Sequence, residues 1–243
     1  NNMSNMSVII DSNSMQNAYS RGIYSNYYGY YPSISYNTIT SRDSGTTTNN
    51  WYGLYFYNYN SVEKIEGNTI RSTNTSISRP YGMYIYYYLN YNNYGTTNKS
   101  PLIANNEIIL YTTGSYSGIY LYNPYSNVQL LHNSVYMYGS NTPYALYTYN
   151  GTTSYKPEIK NNIFMTNAGS DAYPIYYNGN YSSSYYTVDY NNYYSSGNYV
   201  GYAGSTLTSL SELQMTTGQD ANSINENPNF IAPTTDLHTS GTT

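Results

Sequence analysis

Residues able to move protons, hold a metal or attack a substrate are scarce in this chain. Its 243 residues include 8 Lys+Arg, 12 Asp+Glu, 2 His and no Cys. Without cysteine there is no disulfide, thiolate zinc site or cysteine nucleophile. Acid–base hydrolysis needs facing carboxylates, and eliminative cleavage needs a base beside a group that neutralises the substrate's charge. The candidates for such work are few. Lys160 and Asp189 occupy equivalent repeat positions and adjoin, which reads as a surface ion pair of little energetic weight. His132 has no acid beside it. Glu63, Lys64, Glu66 and Arg71 form the densest charged patch and flank one turn. Asp220, Asn222 and Asp236 offer oxygens to calcium, but not at the spacing of an EF-hand loop. No Gly-x-Ser-x-Gly, phosphate loop or His-Glu-x-x-His occurs. The expectation is no catalytic residue, no metal site and no cofactor.

The bulk composition points elsewhere. Tyr (40), Asn, Ser and Thr together exceed half the chain, and only 8% of residues are charged, with a net charge of -4. An ordinary soluble domain has ~25% charged residues. Nucleic acid is not an expected partner, because phosphate binding needs a clustered basic surface. Membrane insertion is not expected either, since no apolar run approaches the ~18 residues that span a bilayer. Such a composition fits an exported surface protein better than a cytosolic enzyme.

Internal repetition supplies the order that composition alone would leave in doubt. Six segments share the pattern apolar-x-x-Asn-x-apolar, centred on Asn37, Asn68, Asn106, Asn133, Asn162 and Asn191. The separations run from 27 to 38 residues. Asn5 is a candidate seventh copy. Between these segments runs a second motif. It reads Gly22-Ile23-Tyr24, Gly53-Leu54-Tyr55, Gly82-Met83-Tyr84 and Gly118-Ile119-Tyr120, then Ala145-Leu146-Tyr147 and Pro174-Ile175-Tyr176. Both motifs alternate with period two, as strands with one buried face do. Three inward columns follow. They are Ile23/Leu54/Met83/Ile119/Leu146/Ile175, Ile34/Ile65/Ile103/Leu130/Ile159/Val188, and Ile39/Ile70/Ile108/Val135/Phe164/Tyr193. Polar insertions fall at Ser41–Asn50 and Asn90–Ser100. Each Asn is expected at the bend between two strands, where it tolerates a left-handed backbone and bonds to the Asn of the next coil.

These motifs resemble the right-handed parallel β-helix repeat proteins, with the six asparagines matching that family's turn asparagine. The fold so implied is all-β: a right-handed parallel β-helix of about six to seven coils over 1–202. A C-terminal helix and strand over 203–243 would cap the open end. Ser209-Leu-Ser-Glu212 is a capping box opening a short helix that closes at Gly218. The following Gly218-Gln-Asp220-Ala-Asn222-Ser223 and Asn227-Pro-Asn-Phe230 are similar to the terminal element of β-helix proteins exported by Bacteroidota, although Leu213 stands where an aromatic residue is common. In that family the stretch matching Asp236-Leu-His238 leads into further chain, and residue 1 falls inside a repeat. The sequence therefore reads as a piece of a larger protein. The resemblance says little about activity, because the fold carries lyases, hydrolases, adhesins and fibres.

One surface stands out. If Ile23 and its equivalents point inward, the next residue points outward, and it is Tyr24, Tyr55, Tyr84, Tyr120, Tyr147 and Tyr176. Two positions on, Tyr57, Tyr86, Tyr122 and Tyr149 lie between Asn26 and Asn178. An exposed double row of tyrosines is expected along one sheet. It is either a structural aromatic stack or a contact face. The leading expectation is a non-catalytic structural or adhesive solenoid at the bacterial cell surface. The alternatives are a carbohydrate-binding or polysaccharide-degrading module, and a self-associating fibre subunit. The partner is accordingly a glycan or cell-surface polymer, or a second copy of the chain.

Overall fold

A computed structural model describes residues 7–43, 50–89, 100–124 and 126–240. Asn5 and most of the insertions at Ser41–Asn50 and Asn90–Ser100 lie outside the described residues. The chain winds into a parallel β-solenoid of about six turns. Each turn contributes one strand to each of three sheets. The first sheet comprises Ser7–Asp11, Tyr30–Ser35, Lys64–Glu66, Leu102–Ala104, Gln129–Leu131, Glu158–Lys160 and Thr187–Asp189, with Ser61–Val62 beside the second of these. The second comprises Ser14–Ala18, Thr38–Ser41, Thr69–Ser72, Glu107–Thr112, Ser134–Gly139, Ile163–Ala168 and Asn192–Ser195. The third runs from Arg21–Ser25 through Asn50–Tyr59, Arg79–Tyr88, Ser117–Tyr122, Tyr144–Tyr149 and Tyr173–Asn178 to Gly201–Ala203.

All three expected inward columns form in the expected register. Ile34, Ile65, Ile103, Leu130, Ile159 and Val188 pair in sequence along the first sheet. Ile39 to Tyr193 do so along the second, and Ile23 to Ile175 along the third. These side chains are buried in one continuous core. Stacking like on like from coil to coil removes apolar surface from water without large voids, which is what lets so weakly charged a chain hold a single fold. The glycines of the second motif mark where third-sheet strands crowd the second-sheet column. A Cβ on Gly53 would collide with Ile70 Cγ2, and one on Gly82 would lie 2.5 Å from Ile108 Cγ2.

The asparagines form a ladder through the bend between the first and second sheets. Asn133 illustrates the rung. Its Oδ1 accepts from Asn106 N–H at 3.1 Å and Asn106 Nδ2 at 2.9 Å. Its Nδ2 donates to Asn162 Oδ1 and back to the Ile103 carbonyl, each at 2.9 Å. Asn37, Asn68, Asn106 and Asn162 repeat this arrangement. All six asparagines are buried, and burial demands such complete pairing.

Two details differ from expectation. The left-handed residue at the bend is not the ladder Asn but the one before it: Tyr36, Gly67, Asn105, His132, Asn161 and Tyr190, with φ between 55° and 64°. The Asn is required for its amide, not for its backbone. The first rung among the described residues is Asn13, whose N–H and Nδ2 both reach Asn37 Oδ1 at 3.0 Å. It sits in Ile10-Asp-Ser-Asn13-Ser-Met15, the same pattern at a spacing of 24.

The helix spans Leu210–Thr217, N-capped by Ser209 and closed by Gly218 at φ 66°. Leu207 and Leu213 enter the core and cover the C-terminal end of the coils. Thr206–Leu207 pairs antiparallel with Gly201–Ala203, so the third sheet ends on a reversed strand. The final strands, Phe230–Ala232 and Asp236–Thr239, do not cover that end. They pair with each other and return along the flank, where Phe230 and Leu237 pack on outward residues of the second sheet, Ile109, Tyr136 and Met165.

Candidate functional site

Outward positions of the third sheet carry tyrosine on every coil. Tyr24, Tyr55, Tyr84, Tyr120, Tyr147 and Tyr176 are cross-strand partners in one column, and Tyr202 adds a seventh member. From Tyr55 to Tyr202 successive rings stand 4.3–5.2 Å apart and within 10° of parallel. Tyr57, Tyr86, Tyr122 and Tyr149 form a second stack at 4.2–4.6 Å. The coil repeat of ~4.8 Å fixes this interval, and aromatic rings find it favourable.

A third file was not expected. Tyr52, Tyr81, Tyr116, Tyr144, Tyr173 and Tyr199 lie on the other side of the central column. Tyr81, Tyr144 and Tyr173 meet it edge-on, as in Tyr81–Tyr84 at 5.3 Å and 89°. Within the file, Tyr52 stacks on Tyr81 at 5.1 Å and Tyr173 on Tyr199 at the same distance. At the N-terminal edge the Arg21 guanidinium lies over Tyr24, 4.5 Å from the ring centroid. There the cation and the ring face attract each other.

The expected exposed stripe is half-buried instead. Within the central column only Tyr24 is strongly exposed, at 46%. From Tyr84 to Tyr176 each ring face is occupied by the ring above and the ring below, so the sheet offers solvent ring edges rather than ring faces. Burial pushes the Tyr55 and Tyr173 phenols up to about 12, and Tyr84 and Tyr120 higher still. These phenols are therefore protonated at neutral pH, and the charge on this face comes from Arg21 and Arg79 beside the rings.

The residues weighed for catalysis are separated. Lys160 pairs with Glu158 at 2.6 Å, within its own strand, rather than with Asp189. Asp189 accepts from Asn222 N–H at 2.7 Å and Asn222 Nδ2 at 2.8 Å. Lys64 pairs with Glu66, but Arg71 turns to Glu107 at 3.6 Å. The three possible calcium ligands have different duties. Asp220 is buried at the end of the ladder and accepts from Ser223 Oγ and Tyr193 OH. Asn222 serves Asp189, and Asp236 contacts the His238 ring. Among the described residues, Glu107, Asp236 and His238 instead bring ligand atoms together. Sequence reading missed this grouping because the C-terminal hairpin folds back across 130 residues of chain. No helix among the described residues is long and apolar enough to cross a membrane. The chain matches no family model, no curated protein and no solved structure.

Proposed function

We propose that this chain is a non-catalytic structural or adhesive β-solenoid, working outside the cell at a bacterial surface, with the tyrosine sheet as its contact face. The observation that carries the reading is the central column: seven tyrosines in register on the outward side of the sheet, their rings locked by mutual stacking. Rigid rings lose little entropy on contact, and a repeated weak contact gains strength with length. Because the ring faces are occupied, sugar rings have little aromatic face on which to stack. A hydroxyl- or amide-rich polymer, or the same sheet of a second copy, meets the edges and hydroxyls better. Low charge with heavy use of Tyr, Asn, Ser and Thr supports an exported setting. The pattern from Gly218 to Phe230 supports kinship with the exported Bacteroidota solenoids, and the general preference of parallel crossovers supports right-handed winding.

The test replaces Tyr84, Tyr120 and Tyr147 together by Phe, which keeps the stack and removes three hydroxyls. Self-association is read by sedimentation, and adhesion on immobilised polysaccharides and hydroxylated glass. The expected result is an unchanged melting temperature with weakened association or adhesion. Undiminished contact in the folded variant would place the contact face elsewhere. Retention of one defined glycan by the unmodified chain, with no self-association or general adhesion, would favour the carbohydrate-binding reading.

A further inference from the structure

The chain has two histidines, His132 and His238, and both line one cavity of about 410 Å³. The cavity lies where the bend between the first and second sheets meets the returning C-terminal strand, and Gly67, Asn105, Glu107 and Leu237 complete much of its wall. Glu107 and His238 of its wall, with Asp236 beside it, each hold a ligand atom within 4.8 Å of the others. Glu107 comes from the second sheet. Asp236 and His238 sit two apart on the last strand, so their side chains share a face.

From this geometry we infer a binding site for a transition-metal dication of the zinc, cobalt or nickel class, with Glu107, Asp236 and His238 as its ligands. One imidazole nitrogen and two carboxylates suit such ions. Calcium takes six or more oxygens, and this set does not supply them. The carboxylates are already held in place: Glu107 Oε2 accepts from Leu237 N–H at 3.2 Å, and Asp236 Oδ1 accepts from His238 N–H at 2.9 Å while meeting His238 Nδ1, a contact that a bound ion would replace. Such supporting bonds are what hold metal ligands in place. Three protein ligands leave coordination positions open toward the cavity that His132 also lines. Bound metal would join the hairpin to the second sheet, adding a clasp to the packing of Phe230 and Leu237. Arg71 opposes it, since its guanidinium stands 3.6 Å from Glu107 Oε1 while donating to the Thr235 carbonyl at 2.6 Å.

The site is independent of the tyrosine face and is tested without it. The full chain, stripped with a chelator, is titrated with Zn²⁺ by calorimetry and with Co²⁺ by visible absorption. The expected result is one ion per chain. His238→Ala and Asp236→Asn should each weaken binding about tenfold or more, and Arg71→Gln should tighten it. His238 is largely solvent-exposed, so its loss leaves the fold intact, which circular dichroism checks. Glu158→Gln, at a remote ion pair, serves as control and leaves the affinity unchanged. The proposal fails if the stripped chain takes up no ion, or if His238→Ala binds as the parent does.

Discussion

Asn191 donates its backbone N–H to the hydroxyl of Ser223 at 2.9 Å, so the asparagine ladder ends on a serine of the terminal segment. Ser223 in turn donates to Asp220 Oδ1 at 2.7 Å, which also accepts from Tyr193 OH at 2.9 Å. Asp220 adopts φ 62° and its N–H bonds the Val188 carbonyl. The segment after the helix thus satisfies the last rung as a further coil would. Its sequence belongs to the same hydrogen-bonding system as the repeats, although it does not repeat them.

Ser223→Ala would leave the Asn191 N–H buried without an acceptor. The expected loss is about 1–3 kcal/mol, the cost of one unmatched buried donor. Hydrogen exchange should quicken first at Asn191 and Asn192, in the last coil. Protection there unchanged from the parent would show that the ladder does not depend on its terminal rung.

Within the ladder the loss is larger. Asn133→Ala strips the acceptor from two donors of Asn106 and the donor from the Ile103 carbonyl. The bond to Asn162 Oδ1 is lost as well, so four buried groups are affected and the expected destabilisation is about 4 kcal/mol. Asn133→Asp discriminates further. It keeps the acceptor but faces an ionised carboxylate toward Asn162 Oδ1, so its folded-state pKa must rise. Its stability is therefore highest in acid and falls as pH rises above the ordinary carboxylate value. Denaturant midpoints at pH 4 and pH 7 read this directly, and equal midpoints would argue against the amide's donor role.

The core and ladder were legible in the sequence because each depends on a local pattern repeated in register. Ile65, Ile103 and Leu130 stand at one offset from their asparagines and therefore stack. The left-handed residue lies one position before the expected one, because its column mixes Tyr36, Gly67, Asn105, His132, Asn161 and Tyr190, and the two tyrosines and the histidine hide the conformation that Gly67 and the asparagines favour. The third file of tyrosines escaped because Gly53 and Leu54 are buried in succession. That break in alternation puts Tyr52 outward three residues before Tyr55, not two. The grouping of Glu107 with Asp236 and His238 has no local signal at all. It arises from a hairpin whose apolar anchors, Phe230 and Leu237, do not reveal which face they will cover.

Alkali should dismantle the fold through the tyrosines. In the unfolded chain a tyrosine ionises near pH 10, whereas Tyr55, Tyr173 and Tyr186 are pushed up to about 12, chiefly by burial. Below pH 10 both states are protonated and this stability is fully present. Above it the unfolded chain loses protons first, so stability falls as pH rises toward about 12. Many rings act together, and the expected result is a steep transition in which tyrosinate absorbance and loss of circular dichroism coincide. Tyrosinate appearing well before unfolding would show that the stack does not shield its phenols.

Asp220 gives the opposite end of the pH range a smaller signature. Burial raises its carboxyl above the ordinary value. Its contribution is present below that ordinary value and lost as pH rises through the raised one. Asn retains the acceptor, avoids the buried charge and accepts the left-handed backbone. Asp220→Asn should therefore equal or exceed the parent's stability at pH 7 and lack its decline between acid and neutral pH. A less stable variant at pH 7 would mean that the ionised carboxylate holds Ser223 and Tyr193 at a net gain.

The tyrosine column is also part of the fold, and truncation should show it. Replacing Tyr84, Tyr120 and Tyr147 by Ser leaves the inward Met83, Ile119 and Leu146 untouched. It nevertheless removes four consecutive parallel stacks, from Tyr55–Tyr84 to Tyr147–Tyr176, at 4.7–5.2 Å. It also removes edge contacts to Tyr52, Tyr81 and Tyr144. At ~0.5–1.5 kcal/mol per aromatic pair beyond area burial, the expected loss is several kcal/mol. The same three positions changed to Phe keep the rings and should melt close to the parent. The contrast separates the contribution of the rings, which hold neighbouring coils together, from that of the hydroxyls, which the proposed contact would use. Equal melting temperatures for the Ser and Phe triples would show that the stack adds nothing to the core, and that its regularity belongs to contact alone.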